Sequence, residues 1–212
     1  GYLDERGDRM QRRHAVGRIV ADATNTVCEG ELLQLANRNN WDLDEATYFE
    51  IIRRKTASLC GVCGRVAATL HGADARIVDA AYDYGEKVGV AFQIVDDVLD
   101  LVGAEQTVGK TLGRDLQKGK LTLPLIHCLD QVDDATRATM RRWMDNGLVR
   151  DNGVDPTTAI RRLVIDCGSL EYARDWARRL VEQAQSALLV LPDSPARALL
   201  SEMAEAILSR KA

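Results

Sequence analysis

Phe92-Gln-Ile-Val-Asp-Asp-Val-Leu-Asp100 places three aspartates in a stretch whose other residues are mostly apolar. Apolar residues recur at helical spacing from Gly89 to Val102, which predicts an α-helix there. In such a helix Asp96 and Asp100 are four residues apart and share one face, and Gln93 lies one turn earlier on the same side. One face of this helix therefore combines two carboxylates with an amide.

The third aspartate, Asp97, lies about 100° round the helix axis from Asp96, so we expect its carboxylate to reach the same cleft. Unpaired carboxylates are costly to bury in apolar surroundings. A hard cation removes that cost, and Mg²⁺ fits best because it takes one or two carboxylates together with water and substrate phosphate oxygens. The sequence therefore predicts a Mg²⁺ site at Asp96, Asp97 and Asp100.

The alternative interpretation is a solvated acidic face on a surface helix. That interpretation requires polar residues at the neighbouring positions. The residues found there are all apolar: Ile94, Val95, Val98, Leu99, Leu101 and Val102. The metal site is therefore the stronger of the two interpretations.

Composition limits the other function classes. The chain has 212 residues, 46% of them hydrophobic and 28% charged, as in an ordinary globular domain. The net charge of −4 and the lack of a basic and aromatic stripe give no support for nucleic-acid binding.

No apolar run approaches the roughly 18 residues of a membrane span, which leaves peripheral membrane association compatible with the sequence. The odd count of five cysteines argues against a disulfide framework and favours a reducing compartment, so we expect a cytoplasmic protein.

Helical periodicity covers most of the chain and predicts one all-α domain over residues 1–212. Asp44 and Asp74 are predicted N-caps, and Gly72 is a predicted helix end. Gly85 and Gly89 predict close helix packing. The predicted helices are 7–39, 45–71, 74–101, 120–129, 134–145, 155–166, 168–191 and 194–210, with a loop at 103–119.

Two polar features precede the aspartates. Glu31 and Gln34 are three residues apart in an otherwise apolar helix, so that face either lines a polar pocket or is an ordinary amphipathic edge. Lys55 is followed by small residues, beginning with Thr56, which would let a phosphate group approach closely. Considered alone, such a lysine is more often solvated than functional.

Basic residues also follow the aspartates. The glycine-rich loop at 103–119 carries Lys110, and Lys120 comes directly after it. Several cations in a glycine-rich segment beside a metal site suit a ligand with several phosphates.

The combined motifs resemble a known family. Phe92-Gln-x-x-Asp-Asp-x-x-Asp100, Gly109-Lys110, Gly113-x-Asp115 and Gly119-Lys120-x-Thr122-Leu-Pro124 are similar to the second aspartate-rich region of trans-polyprenyl diphosphate synthases. Glu29-Gly-Glu31-x-x-Gln34 and Lys55-Thr56-Ala57 match the same family in order and spacing. The resemblance implies an all-α isoprenoid-synthase bundle around a central cavity, usually a homodimer.

The resemblance also implies a reaction, in which isopentenyl diphosphate is added to an allylic diphosphate to make an all-trans polyprenyl diphosphate. It implies that Mg²⁺ is held against the allylic diphosphate by Asp96, Asp97 and Asp100. It assigns the contacts to the diphosphate oxygens to Lys55, Lys110 and Lys120. It implies catalytic roles for Lys55, Thr56 and Gln93.

One departure from the family affects these expectations. The family carries a first aspartate-rich motif, and basic residues that receive isopentenyl diphosphate, upstream of the segment that matches here. Neither is found between Gly1 and Glu29. We therefore expect an N-terminally incomplete fragment of a longer synthase that is inactive alone, the alternative being a degenerate relative.

Two rival functions remain. A non-catalytic subunit would dimerise with a catalytic prenyl synthase and regulate it, but would not need the retained aspartates and lysines. A class I terpene cyclase shares the fold and the ionisation chemistry, but cyclases usually carry an Asn/Ser/Glu triad where this sequence has Asp96, Asp97 and Asp100.

Overall fold

The described part of the chain is built from α-helices. A computed structural model describes residues 2–102 and 113–210, with side chains described from residue 7 onward. Within these ranges the elements are α1 (Tyr2–Ala36), α2 (Glu45–Ile52), a π-helical turn (Arg53–Ala57), α3 (Ser58–His71), α4 (Ala75–Val102), α5 (Arg114–Gln117), α6 (Leu123–Gln131), α7 (Asp134–Asp145), α8 (Pro156–Asp166), α9 (Ser169–Ala187), a 3₁₀ turn (Leu188–Val190) and α10 (Pro195–Leu208). The all-α prediction is confirmed.

The second predicted helix, 45–71, differs from the structure at its centre. Asp44 caps its start as predicted, since its Oδ1 accepts the N–H of Thr47 at 2.7 Å, and Gly72 ends it with φ 76°. Between them the π-helical turn Arg53–Ala57 separates α2 from α3. Such a turn adds a residue to one helical turn and is frequent at functional sites. Simple 3.6-residue periodicity does not reveal it.

Helix α4 packs against α3 on one side and α9 on the other. It starts after Asp74, whose Oδ1 accepts the N–H of Ile77 at 3.0 Å, which confirms the predicted cap. A Cβ built on Gly85 would lie 2.4 Å from the carbonyl oxygen of Cys60, and one on Gly89 2.6 Å from Cα of Ala57. The prediction of close packing at these glycines is therefore confirmed.

The core forms around α4. Its fully buried side chains come from α2, α4 and the helices that follow the loop, namely Tyr48, Ile94, Leu101, Leu123, Leu125, Met140, Ile160, Val164 and Val181. Each buried aliphatic side chain of this size contributes about 1.5–3 kcal/mol relative to an exposed one. The functional stretch of α4 is thus fixed from several directions.

The structure describes part of the predicted loop and bears on the expectation that no helix spans a membrane. Of the predicted loop 103–119, residues 103–112 lie outside the described residues, and the remainder forms α5 and a turn at Gly119. Across the described part of the chain, no helix combines the length and apolar character needed to cross a membrane.

Candidate functional site

Asp97 lies at the centre of a buried hydrogen-bond cluster. Its side chain is 1% exposed, and its Oδ2 accepts the hydroxyl of Tyr48 on α2 at 2.7 Å. Its Oδ1 accepts Nε2 of Gln93 at 2.9 Å and Nζ of Lys120 at 3.0 Å. Three chain segments therefore meet at one carboxylate.

Burial and neighbouring charges together shift the pKa values of this cluster. Burial raises the pKa of Asp97, with Lys120 opposing that change. Burial and the neighbouring Asp97 carboxylate raise the pKa of the Tyr48 hydroxyl well above its ordinary value, so this hydroxyl stays a donor. Burial lowers the pKa of Lys120, but the carboxylates of Asp97 and Asp115 outweigh it and the net direction is upward. Lys120 therefore stays charged beside Asp97.

Lys120 also bridges to the segment after the loop. Its Nζ donates to Oδ2 of Asp115 at 2.9 Å as well as to Asp97, and its side chain is 18% exposed. Gly119, just before it, has φ 68°, and its carbonyl oxygen accepts the N–H of Asn39 at 2.8 Å. The turn after α1 thus holds the chain where Lys120 enters the cluster.

The other two aspartates are more accessible than Asp97. Asp96 is 43% exposed, and its Oδ1 accepts Nη2 of Arg210 at 2.8 Å, while the guanidinium of Arg210 lies over the ring of Phe92. Asp100 is half-buried, its Oδ2 accepts the N–H of Asp115 at 3.1 Å, and burial raises its pKa.

The structure differs from the expectation that the three carboxylates reach one cleft. Asp97 points into the core because Tyr48 and Lys120 satisfy it there. Among the residues whose side chains are described, no group of three or more His, Cys, Asp or Glu side chains is spaced to hold a metal ion. Mg²⁺ commonly uses one or two carboxylates plus substrate phosphates, so the exposed Asp96 fits a shared site with a diphosphate better than a closed protein site.

Lys55 lies in the π-helical turn against α1. Its Nζ donates to Oε1 of Gln34 at 2.6 Å and pairs with Oε1 of Glu31 at 2.9 Å. Glu31 and Gln34 therefore share one partner, the ammonium group of Lys55. Two of the three ammonium donors are used in this way, which leaves one for a ligand.

Thr56 and Gln93 connect this lysine to the aspartate cluster. The hydroxyl of Thr56 lies 3.4 Å from Oε1 of Gln93, a long contact, and Gln93 in turn donates to Asp97. Adjacent side chains therefore run from Thr56 through Gln93 and Asp97 to Lys120. Lys110, the remaining predicted contact, lies outside the described residues.

Sequence reasoning missed Tyr48, Asp115 and Arg210. Tyr48 lies seven residues before Lys55 on the same helical run, so its spacing was a usable signal. Asp115 lies in the motif Gly113-x-Asp115, but its spacing alone does not indicate that it pairs with Lys120. Arg210 is far from Asp96 in sequence, and only the fold brings them together.

The cysteine pair Cys60-x-x-Cys63 does not join the site. Both thiols are free, with Cys60 partly buried and Cys63 exposed. A Cβ built on Gly89 would lie 3.2 Å from Cβ of Cys60, so Cys60 packs against α4.

Comparisons with known proteins agree with these motifs. The octaprenyl diphosphate synthase of Haemophilus influenzae is 39% identical over 186 residues, which cover 88% of this chain and 55% of that protein. The decaprenyl diphosphate synthase of Rhodobacter capsulatus has 36% identity and a TM-score of 0.85, with 94% of this chain and 60% of that chain covered. A polyprenyl synthase of Caulobacter crescentus, solved with calcium and isoprenyl diphosphate, has 33% identity and a TM-score of 0.86, with 93% and 60% covered.

The chain thus spans little more than half the length of that Haemophilus influenzae relative. The family model described as Polyprenyl synthetase matches residues 5–156, a range that contains the aspartate cluster and both described lysines. The chain belongs to the polyprenyl synthetase family.

Proposed function

We propose that this chain carries one half of the diphosphate site of a Mg²⁺-dependent prenyltransferase, which adds isopentenyl diphosphate to an allylic diphosphate to make an all-trans polyprenyl diphosphate. The observation that carries the proposal is the continuous set of side chains from Thr56 through Gln93 and Asp97 to Lys120, with Lys55 beside Thr56. Two lysines with unused donor capacity at such a site suit a diphosphate.

The residues have separate roles in this proposal. Asp96 and Asp100, the accessible members of the predicted Mg²⁺ ligands, would hold the ion. Asp97 is 1% exposed, and its present contacts favour holding Lys120. When bound, Mg²⁺ would neutralise charge on the diphosphate as it leaves. Lys55, Lys110 and Lys120 would donate to the diphosphate oxygens, on which negative charge grows as the allylic C–O bond breaks.

An apolar groove in the surface supports a substrate with a hydrocarbon tail. It lies between α1 and α3, has a volume of about 430 Å³, and is lined by Val20, Ala23, Thr24, Val27, Cys28, Leu59, Val62, Cys63 and Val66. Leu59 follows Thr56 by three residues, so the groove begins close to the proposed diphosphate end. Filled by a prenyl chain, such an apolar groove would exclude water from an allylic cation.

We also propose that the helices form one domain, that the protein is cytoplasmic, and that it forms a homodimer. Five free thiols suit a reducing compartment. Exposed apolar side chains on α1 outside that groove, namely Met10, Leu32 and Leu35, supply a surface that another chain could cover.

The test is an assay of prenyl transfer by the protein purified from its natural source. An intact-mass measurement first establishes the length of that protein. With farnesyl and isopentenyl diphosphates and Mg²⁺, we expect elongated prenyl diphosphates, and a loss of about 100-fold or more in Asp96→Ala. If the protein makes no product but alters that of a catalytic partner, the regulatory-subunit alternative replaces the proposal. Cyclic hydrocarbons from one allylic diphosphate would indicate a terpene cyclase.

A further inference from the structure

Helix α1 and the π-helical turn come closest at Gly30. A Cβ built on Gly30 would lie 2.5 Å from the backbone nitrogen of Lys55, 2.8 Å from its Cα and 2.9 Å from the carbonyl carbon of Arg54. All three are backbone atoms, so no rotamer change can relieve the overlap. Any residue larger than glycine must therefore displace the turn that carries Lys55, or move α1 away from it.

Polar side chains near Gly30 on α1 contact the charged side chains of the same π-helical turn. Oε2 of Glu29 pairs with Nη1 of Arg54 at 2.8 Å. Oε1 of Glu31 pairs with Nζ of Lys55 at 2.9 Å, and Oε1 of Gln34 accepts from that Nζ at 2.6 Å. One short segment of α1 thus fixes both the backbone of the turn and the direction of the Lys55 ammonium.

Two other glycines, Gly85 and Gly17, differ from Gly30 in this respect. Gly85 approaches the backbone of α3 at Cys60 just as tightly, at 2.4 Å from its carbonyl oxygen, but its contact lies beside a thiol rather than a cation. Gly17, on α1 itself, has no atom within 4 Å of a built Cβ. Gly85→Ala is therefore a control for a close backbone contact elsewhere, and Gly17→Ala is a control for a substitution on α1 without such a contact.

We propose that Gly30 and Gln34 are positioning residues for Lys55. Gly30 admits the backbone of the π-helical turn to the surface of α1, and Gln34 holds Nζ so that its remaining donor faces the ligand. This inference rests on the proposed function, because it takes Lys55 as a diphosphate contact, and it assigns to the Glu29–Gln34 segment the task of placing that contact.

The test is a double-mutant cycle between Gly30→Ala and Lys55→Ala, read by calorimetric titration of inorganic pyrophosphate with Mg²⁺ into the folded chain. When Lys55 is present, we expect Gly30→Ala to weaken pyrophosphate binding about tenfold. In the Lys55→Ala background, the same change should alter the affinity less than about twofold, because its effect passes through Lys55. Gly17→Ala should bind like the parent, and Gly85→Ala should give the same fold-change in both backgrounds.

A second variant covers the case in which Gly30→Ala does not fold. Gln34→Met removes the acceptor without adding bulk and enters the same cycle, with an expected loss of about fivefold only when Lys55 is present. Equal losses with and without Lys55 would mean a purely structural role and overturn the inference, as would unchanged affinity in folded Gly30→Ala and Gln34→Met. If the parent itself binds no pyrophosphate, the proposed function fails and this inference with it.

Discussion

Lys55 and Lys120 each donate to two acceptors, but in different surroundings. Lys120 is 18% exposed and faces Asp97, which is 1% exposed. Lys55 is 32% exposed and lies between Gln34 and Glu31, the latter 48% exposed. A buried charge left without its partner is costly, whereas an exposed ion pair contributes little to stability. We therefore expect Lys120 to support both fold and site, and Lys55 to matter for the site alone.

The largest predicted effect follows from removing the buried cation. Lys120→Ala leaves the Asp97 carboxylate buried without its counter-charge, so the free energy of unfolding should fall by about 3 kcal/mol. Lys55→Ala is the matched control, with an expected loss below about 1 kcal/mol. Urea unfolding measures both. Similar losses in the two variants would remove the proposed difference between the lysines.

A smaller loss is expected from Tyr48→Phe, which deletes only the hydroxyl that donates to Asp97. Hydrogen bonds to charged acceptors contribute more than neutral ones, so we expect a loss of about 2 kcal/mol in unfolding free energy. Tyr84→Phe is the control, because that hydroxyl donates to the carbonyl oxygen of Leu200 at 2.8 Å, and we expect about 1 kcal/mol there. An equal or smaller loss in Tyr48→Phe would mean that Asp97 does not depend on this hydroxyl.

The third prediction concerns ligand binding at the exposed lysine. Lys55→Ala should weaken pyrophosphate binding in the presence of Mg²⁺ by about tenfold, because one charge-assisted contact is lost. Lys87→Ala, which breaks a pair with Asp83 on α4, should leave the affinity unchanged. Calorimetric titration distinguishes the two, and a parental affinity in Lys55→Ala would place this lysine outside the site.

The smallest effect on stability should come from the contact between Thr56 and Gln93, which connects the surroundings of Lys55 with those of Lys120. Thr56 lies 3.4 Å from Oε1 of Gln93, which is long for a hydroxyl donor. Thr56→Val should therefore change the free energy of unfolding by less than about 0.5 kcal/mol. Thermal unfolding would detect a larger loss, and such a loss would show that the two regions are tightly coupled.

Sequence periodicity predicted the helices because apolar spacing and capping residues act locally. Asp44, Gly72 and Asp74 end or begin helices as expected, since their hydrogen bonds or φ angles depend on neighbours a few residues away. The π-helical turn at Lys55 was not predictable in this way, because it coincides with the contact at Gly30, 25 positions earlier in the chain.

The directions in which the site side chains point were harder to predict than which residues form the site. The spacing of Asp96, Asp97 and Asp100 identified the functional helix but not which carboxylate points inward. Tyr48 and Lys120 decide that for Asp97, and both are distant in sequence. The pair between Arg210 and Asp96 likewise depends on the whole fold.

The most direct test of the central claim is the linkage between Mg²⁺ and pyrophosphate on this chain. Titrations of pyrophosphate with Mg²⁺ and with a chelator should show that the ion tightens binding by at least about tenfold in the parent. In Asp96→Ala this gain should disappear, while the affinity in chelator should not fall, because the change removes a negative charge and frees Arg210. An affinity that ignores Mg²⁺, or a gain that survives in Asp96→Ala, would contradict the assignment of this helix to a shared metal and diphosphate site.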